Sequence, residues 1–348
     1  MSGSWQQFNS PEGSLLAYVA VPPQGSGPGI LLYPDEGQAD LSAMADVLSE
    51  EGYTVLLPRD AASRPDTLTT VLHALPSFKG RIGAVGFGAG ARRALAARGF
   101  DCVADYYVPQ TDAVIPTVVH LPAGPAPAGH EGFEVYSYPG CTIGFATPGH
   151  SAYFKPAADM AYSRTLALLR RVLGPYYDLS SLWEAHRRCE FETRDADATM
   201  ATMVAQPYVN HIPTLTGGYG KAELHHFYKH HFIPKSPKDM RNIPISRTVG
   251  TDRIVNEGVL CFTHDCEIDW MLPGVPPTGR YVEVPLVGIV TFRGDKLINE
   301  HIYWDQASVL VQIGLLDPKG LPVTGADSAR KVLDPSRPAN ALIKNWSR

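Results

Sequence analysis

No stretch of this 348-residue sequence approaches the roughly 20 consecutive apolar residues that cross a bilayer, so no membrane span is expected. Cysteine is scarce: there are five, an odd number and widely scattered, which excludes a disulfide framework. There is no basic excess. Lys and Arg total 30 against 35 Asp and Glu, a net charge of −5, and this leaves no global positive field for nucleic acid or an anionic membrane. Met1–Pro11 is polar and lacks the apolar core of a secretory signal. The expectation is a reduced, cytoplasmic protein that binds neither nucleic acid nor membrane. Hydrophobic residues make up 44% and charged residues 19%, as in globular chains, and the length exceeds one average core, so two domains are expected.

The first half alternates strand and helix signals. Gly29–Tyr33 is a short apolar run closed by Pro34, the pattern of a buried parallel strand. Helices are expected after Asp40 and Asp66, over Ala89–Arg98 and over Met160–Leu173. Strands are expected at Tyr53–Leu57, Arg81–Phe87, Cys102–Val108, Pro116–Leu121 and Phe133–Tyr138. Such alternation implies an α/β sheet with helices on both faces. Gly174-Pro175 breaks the pattern. Ser181-x-x-Glu184 then reads as a capping box. Helical stretches at Asp195–Val204 and Lys221–Phe232 follow, and after them strands only: Arg253–Thr263, Tyr281–Phe292 and Leu297–Trp304. That texture is α+β. The expected domains are 1–174 and 175–316, with a Pro-, Gly- and Ser-rich tail, 317–348, wrapping a surface.

Gly83–Gly90 (GAVGFGAG) lies between a strand and a helix, the context of a nucleophile elbow. Gly86 and Gly90 supply the small flanks, but the central Gly88 has no side chain to attack with. Over Ser14–Gly174 the sequence resembles the dienelactone hydrolase family, through the elbow, the Gly29–Arg59 strand–helix–strand, Tyr138-Pro139-Gly140, Gly144-Phe145 and the closing helix. The resemblance implies a cysteine where Gly88 stands, a histidine where Ile143 stands and an aspartate within Pro122–Pro127, which holds no acid. It also implies an acidic residue at Glu36. Three absences together imply a preserved frame around a lost triad. Two other readings of this half were open: rescue by Cys141, His150 or Cys102, and a loose dinucleotide fingerprint, Gly86-x-Gly88-x-x-Ala91 with Asp105.

Eight of the twelve histidines follow Gly174. His226 and His230 have the i, i+4 spacing of a metal pair, but no HExxH or CxxC accompanies them, and no metal is expected. His231 joins Leu224, Phe227 and Tyr228 on the apolar side of that helix. In Glu300–Asp305, alternation puts His301, Tyr303 and Asp305 on one face and Ile302 and Trp304 on the other. Asp305 is either a base or the cap of the following helix. His264 ends the strand that carries Leu260 and Phe262, and His211 follows Tyr208 at a helix–strand transition.

Leu182–Leu316 resembles the SnoaL-like polyketide cyclase family, a cone-shaped α+β fold shared with ketosteroid isomerases. The match is carried by Pro273–Arg280 (PGVPPTGR), the Val282–Phe292 strand, Gly294–Leu297, Trp304-Asp305-Gln306 and Gln312–Gly314. The fold expected for the whole chain is thus an α/β hydrolase-like doubly wound sheet followed by an α+β cone-shaped barrel. The resemblance implies Asp305 as a base and a histidine near His264. A second cyclase histidine falls on Gly288 and is absent. The implied chemistry is proton abstraction beside a carbonyl, with no cofactor, as in a cyclase, isomerase or dehydratase. The expected catalytic set is Asp305, His264, His211 and His301, and the expected substrate-binding set is Tyr208, Tyr303, Trp304, Trp270 and His231. A small-molecule carbonyl substrate and a possible homodimer complete the expectation. The alternatives are a non-catalytic small-molecule binding protein and an ester or lactone hydrolase with an unconventional site in the first half.

Overall fold

A computed structural model of the protein describes residues 3–10, 13–37, 40–124 and 128–346. The chain divides into two compact units, Met1–Tyr177 and Asp178–Arg348. Among the described residues no helix is long and apolar enough to cross a membrane.

The first unit contains β1 (Ser4–Ser10), β2 (Gly13–Ala20), β3 (Gly27–Tyr33), α1 (Ser42–Glu50), β4 (Thr54–Pro58), α2 (Pro65–Ala74), β5 (Phe78–Phe87), α3 (Ala89–Ala96), β6 (Cys102–Tyr106), β7 (Thr117–Leu121), β8 (Phe133–Ser137) and α4 (Lys155–Leu173). Its strand order is β1-β2-β4-β3-β5-β6-β7-β8. The pairs β1/β2 and β2/β4 are antiparallel and the remaining pairs parallel. The β3 run is unbroken because both faces are buried. Ile30 and Leu32 pack with residues of α1 and α4, whereas Leu31 and Tyr33 pack with residues of α2 and α3. This is the α/β hydrolase-like sheet, with the β1–β2 hairpin added at its edge.

Asp105 on β6 is fully buried. Its Oδ1 accepts from the Val108 N–H (3.2 Å), while Oδ2 has no partner, and burial pushes its carboxyl up to about 7. The unfolded chain releases this proton near the ordinary ~3.9, so the folded state is the better proton binder between those values and stability falls as pH rises from about 4 to about 7. Asp105→Asn is expected to match the wild type below pH ~4 and to melt higher above pH ~7, with an upper bound on the gain of roughly 4 kcal/mol. Thermal melts across that range check it; parallel wild-type and variant curves would contradict it.

The second unit opens with α5 (Leu179–Arg187), a π-helical turn (Arg188–Glu192) and α6 (Ala196–Ala201). Then come β9 (Met203–His211), β10 (Thr216–Tyr219), and α7 (Lys221–Phe227) with a second π-helical turn (Tyr228–Phe232). It continues with β11 (Arg241–Val249), β12 (Arg253–Thr263), β13 (Tyr281–Arg293), β14 (Lys296–Trp304), α8 (Gln306–Ile313) and α9 (Asp327–Leu333). The sheet order is β10-β9-β14-β13-β12-β11, parallel only between β14 and β9. This is an NTF2/SnoaL-like α+β fold. The cap of α5 differs from the expected capping box. Asp178 is the N-cap and accepts from the Ser181 N–H (3.0 Å) and hydroxyl (2.6 Å), so Ser181 lies inside the helix. Within the tail, Ala329 of α9 is buried with Val259 and Cys261 of β12.

Candidate active site

In the first unit, Gly88 keeps the elbow backbone, with φ 49° and ψ −116°. A Cβ there would stand 2.1 Å from Asp35 Oδ2. Asp35 Oδ1 accepts from the N–H of Ala89 (2.8 Å) and of Glu36 (2.9 Å). These donors follow the elbow and strand β3, the two places from which elbow hydrolases draw their oxyanion hole. The unit's own carboxylate therefore occupies both the nucleophile's space and the oxyanion's donors. Glu36 is paired with Arg93 at 2.9 Å. The rescue readings gain nothing. Burial pushes the Cys102 thiol up to about 12, far from a thiolate at neutral pH. His150 Nδ1 accepts from the Ala152 N–H, its ring lies against Gly144, and among the described residues no hydrogen bond joins it to Cys141. For a dinucleotide, Asp35 sets a negative charge where a pyrophosphate would approach, and Asp105 is sealed from any ribose. In the Pro122–Pro127 loop, residues 125–127 lie outside the described residues.

The second unit holds a cavity of about 660 Å³ between the α5 region and the sheet. Trp183, Phe191, Phe232 and Trp270 give it apolar walls. Two charged side chains, Glu190 and Glu300, line it although both are buried. Between them stands His186, wholly buried, with Nε2 3.2 Å from Glu190 Oε1 and 3.1 Å from Glu300 Oε1. His186 and Glu190 are four apart, and the π-helical turn carries Glu190 on the same side. Such turns recur at functional sites. Glu300 comes from the inward face of β14, with Ile302 and Trp304.

The proton positions follow from the hydrogen bonds. The Thr202 hydroxyl donates to the Thr199 carbonyl (2.7 Å), so its oxygen accepts from His186 Nδ1–H (2.6 Å). Nε2 faces carboxylate oxygens, which only accept. Burial opposes a charge on His186, but the two carboxylates outweigh it and lift the imidazole to about 10. His186 is therefore an imidazolium. Burial pushes the Glu190 carboxyl up against the pull of that imidazolium. The Tyr228 hydroxyl donates to Glu300 Oε1 (3.2 Å). Nε2 and the two carboxylate oxygens lie within 4.8 Å of one another, the one such group among the described residues able to hold a metal ion, and a shared proton accounts for the same spacing.

Of the expected residues, His211 and Trp270 line the cavity. His211 Nδ1–H donates to the Thr216 carbonyl (3.2 Å), and burial holds its ring down at about 4, so it is neutral with Nε2 as an acceptor. Trp304 is buried beside His211 and Trp270. The others lie elsewhere. Asp305 caps α8, accepting from the Ser308 N–H (3.1 Å) and hydroxyl, outside the cavity lining. His301, Tyr208 and Tyr303 are on the opposite face of the sheet from Glu300, with the His301 and Tyr208 rings edge to face. His231 pairs with Asp269 at 2.9 Å, half-exposed. His264 is buried but away from the cavity. Its Nδ1 meets the Thr278 hydroxyl (3.1 Å) and its carbonyl accepts from Thr278 and Gly279, so it anchors the PPT loop. His226 and His230 stand on the exposed side of their helix. Asp305→Ala is expected to cost about 1 kcal/mol of stability, the worth of an N-cap, and to leave ligand binding in the cavity unchanged. Thermal melts and titrations on the one variant check both.

Among solved structures, the first unit is similar to a putative dienelactone hydrolase from Klebsiella pneumoniae (14% identity, 49% of this chain and 98% of that one, TM-score 0.40). The second is similar to a putative SnoaL-like polyketide cyclase from Jannaschia (19% identity, 41% of this chain and 99% of that one, TM-score 0.32). It is also similar to an NTF2-like protein from Burkholderia pseudomallei (19% identity, 40% and 99%, TM-score 0.32). No protein-family model matches the chain, and no curated protein matches it. The strand orders above, rather than these likenesses, define the two folds: an α/β hydrolase-like sheet with a filled elbow, and an NTF2/SnoaL-like unit with a charged cavity.

Proposed function

We propose that the second unit binds a small, flat, largely apolar carbonyl compound in this cavity and moves a proton on the carbon beside the carbonyl. The observation that carries the reading is the buried His186–Glu190–Glu300–Tyr228 cluster at the inner end of an apolar-walled cavity of about 660 Å³. That volume suits a drug-sized ligand. Among the described residues no cysteine or lysine lines the cavity, and the one serine that does, Ser246, donates to Glu257, so acid–base chemistry is what the lining offers. Glu300 is assigned as the proton acceptor. The His186 imidazolium and Tyr228 orient its carboxylate, and the imidazolium balances the charge that a nascent enolate brings. Cyclisation, isomerisation and dehydration all share this first step. The first unit takes no part in the chemistry.

The test is hydrogen–deuterium exchange at the carbon beside the ketone of benzoylpropionate, followed by NMR in D2O with the full-length protein. The reading expects protein-dependent exchange that Glu300→Gln abolishes. Exchange surviving in Glu300→Gln would remove the assigned base.

A further inference from the structure

We propose that the open end of the cavity is a carboxylate clamp, and that the substrate carries an acid group which Arg187 and Arg247 hold while its carbonyl lies at the buried cluster. The carbonyl half of this statement rests on the proposed function; the clamp stands on its own observations.

Arg187 of α5 and Arg247 of β11 line the cavity with side chains 32% and 28% exposed, against 0% for His186 and 5% for Glu300. The cavity thus runs from a solvent-facing end that carries two arginines to a sealed end that carries the His186 cluster. Both arginines converge on one carboxylate. Arg187 Nη1 lies 3.2 Å from Glu184 Oε2, and Arg247 Nη2 donates to Glu184 Oε1. Glu184 also lines the cavity and is 48% exposed, and among the described residues the two arginines are its only ion-pair partners, so it can swing out to solvent. A guanidinium offers five N–H donors in a planar fork suited to carboxylates. Two such groups around one oxygen pair leave donors over.

A second observation points the same way. Arg247 Nε donates to Asn256 Oδ1, which fixes the guanidinium on the cavity wall independently of Glu184. A substrate carboxylate would take up both arginines, displacing Glu184, which occupies its place in the free protein.

The experiment titrates the full-length protein with benzoylpropionate, benzoylbutyrate and their methyl esters by calorimetry. At least one acid is expected to bind about tenfold or more tightly than its ester, the worth of one charge-assisted pair. Arg247→Met should bring acid and ester to within about twofold of each other, and Glu184→Gln should tighten the acid while leaving the ester unchanged. That gain separates a clamp from a structural ion pair, whose loss tightens nothing. Esters binding as well as acids, no acid binding at all, or Glu184→Gln weakening the acid would each overturn the clamp. Acid preference that follows Arg247 while exchange ignores Glu300→Gln would keep the clamp and discard the assigned base.

Discussion

Gly88→Ser, the substitution that restores a hydroxyl to the elbow, is expected to destabilise the first unit by at least about 3 kcal/mol rather than to create a hydrolase. Two effects add. A side chain at φ 49° and ψ −116° is strained, and its Cβ must enter the space of the Asp35 carboxylate, 2.1 Å away. The carboxylate does not yield readily, because two backbone N–H groups hold its Oδ1. Asp35→Ala alone loses those charge-assisted bonds and is expected to cost roughly 2 kcal/mol. Combined, the two should be markedly less damaging than their sum, because the second removes the obstacle to the first, with a coupling of about 1 kcal/mol or more. Denaturant melts of the four proteins check this. Strict additivity would mean that Asp35 does not fill the elbow.

Glu300→Gln is expected to lower proton exchange by about two to four orders of magnitude, the usual worth of a positioned base. The amide keeps the shape and can still accept from Tyr228, but it cannot take a proton. Its effect on stability should be small. The change removes one of two carboxylates facing a single imidazolium and leaves His186 paired with Glu190. Glu190→Gln is not the same experiment, since it leaves the Glu300 carboxylate in place to take the proton.

Much of the fold was legible. Unbroken runs such as Gly29–Tyr33 announced strands buried on both faces, and the alternation of such runs with helices fixed the doubly wound unit. Glycine at the centre of the elbow announced the missing nucleophile. The filled elbow was not legible, because Asp35 reaches Gly88 across 53 residues of sequence and only the folded turn brings them together. The β1–β2 hairpin and β11 went unread as well. β1 and β11 are largely exposed and polar and carry no apolar run, whereas β2 does carry one, Leu15–Ala20, and buries most of it.

The cavity was only partly legible, and the reason lies in which face of one strand lines it. Alternation along Glu300–Asp305 was read correctly, but the face chosen as functional was the one bearing His301, Tyr303 and Asp305. The cavity is on the other face, where Glu300 shares parity with Ile302 and Trp304. A carboxylate in register with two buried apolar residues was the available signal: a strand accepts it there only with a buried partner. His186 and Glu190 gave the same signal on α5, four apart and beside the buried Trp183, but that segment had been read only for its cap. Asp305, the residue favoured by family resemblance, caps a helix, a role open to any aspartate before a helical run.

The most direct test of this account is the exchange rate of benzoylpropionate measured side by side for the wild type, Glu300→Gln and Asp305→Asn. The account predicts that Glu300→Gln loses at least about a hundredfold while Asp305→Asn stays within about twofold of the wild type. The reverse order would return the base to Asp305, and equal rates in all three would remove both residues as the base.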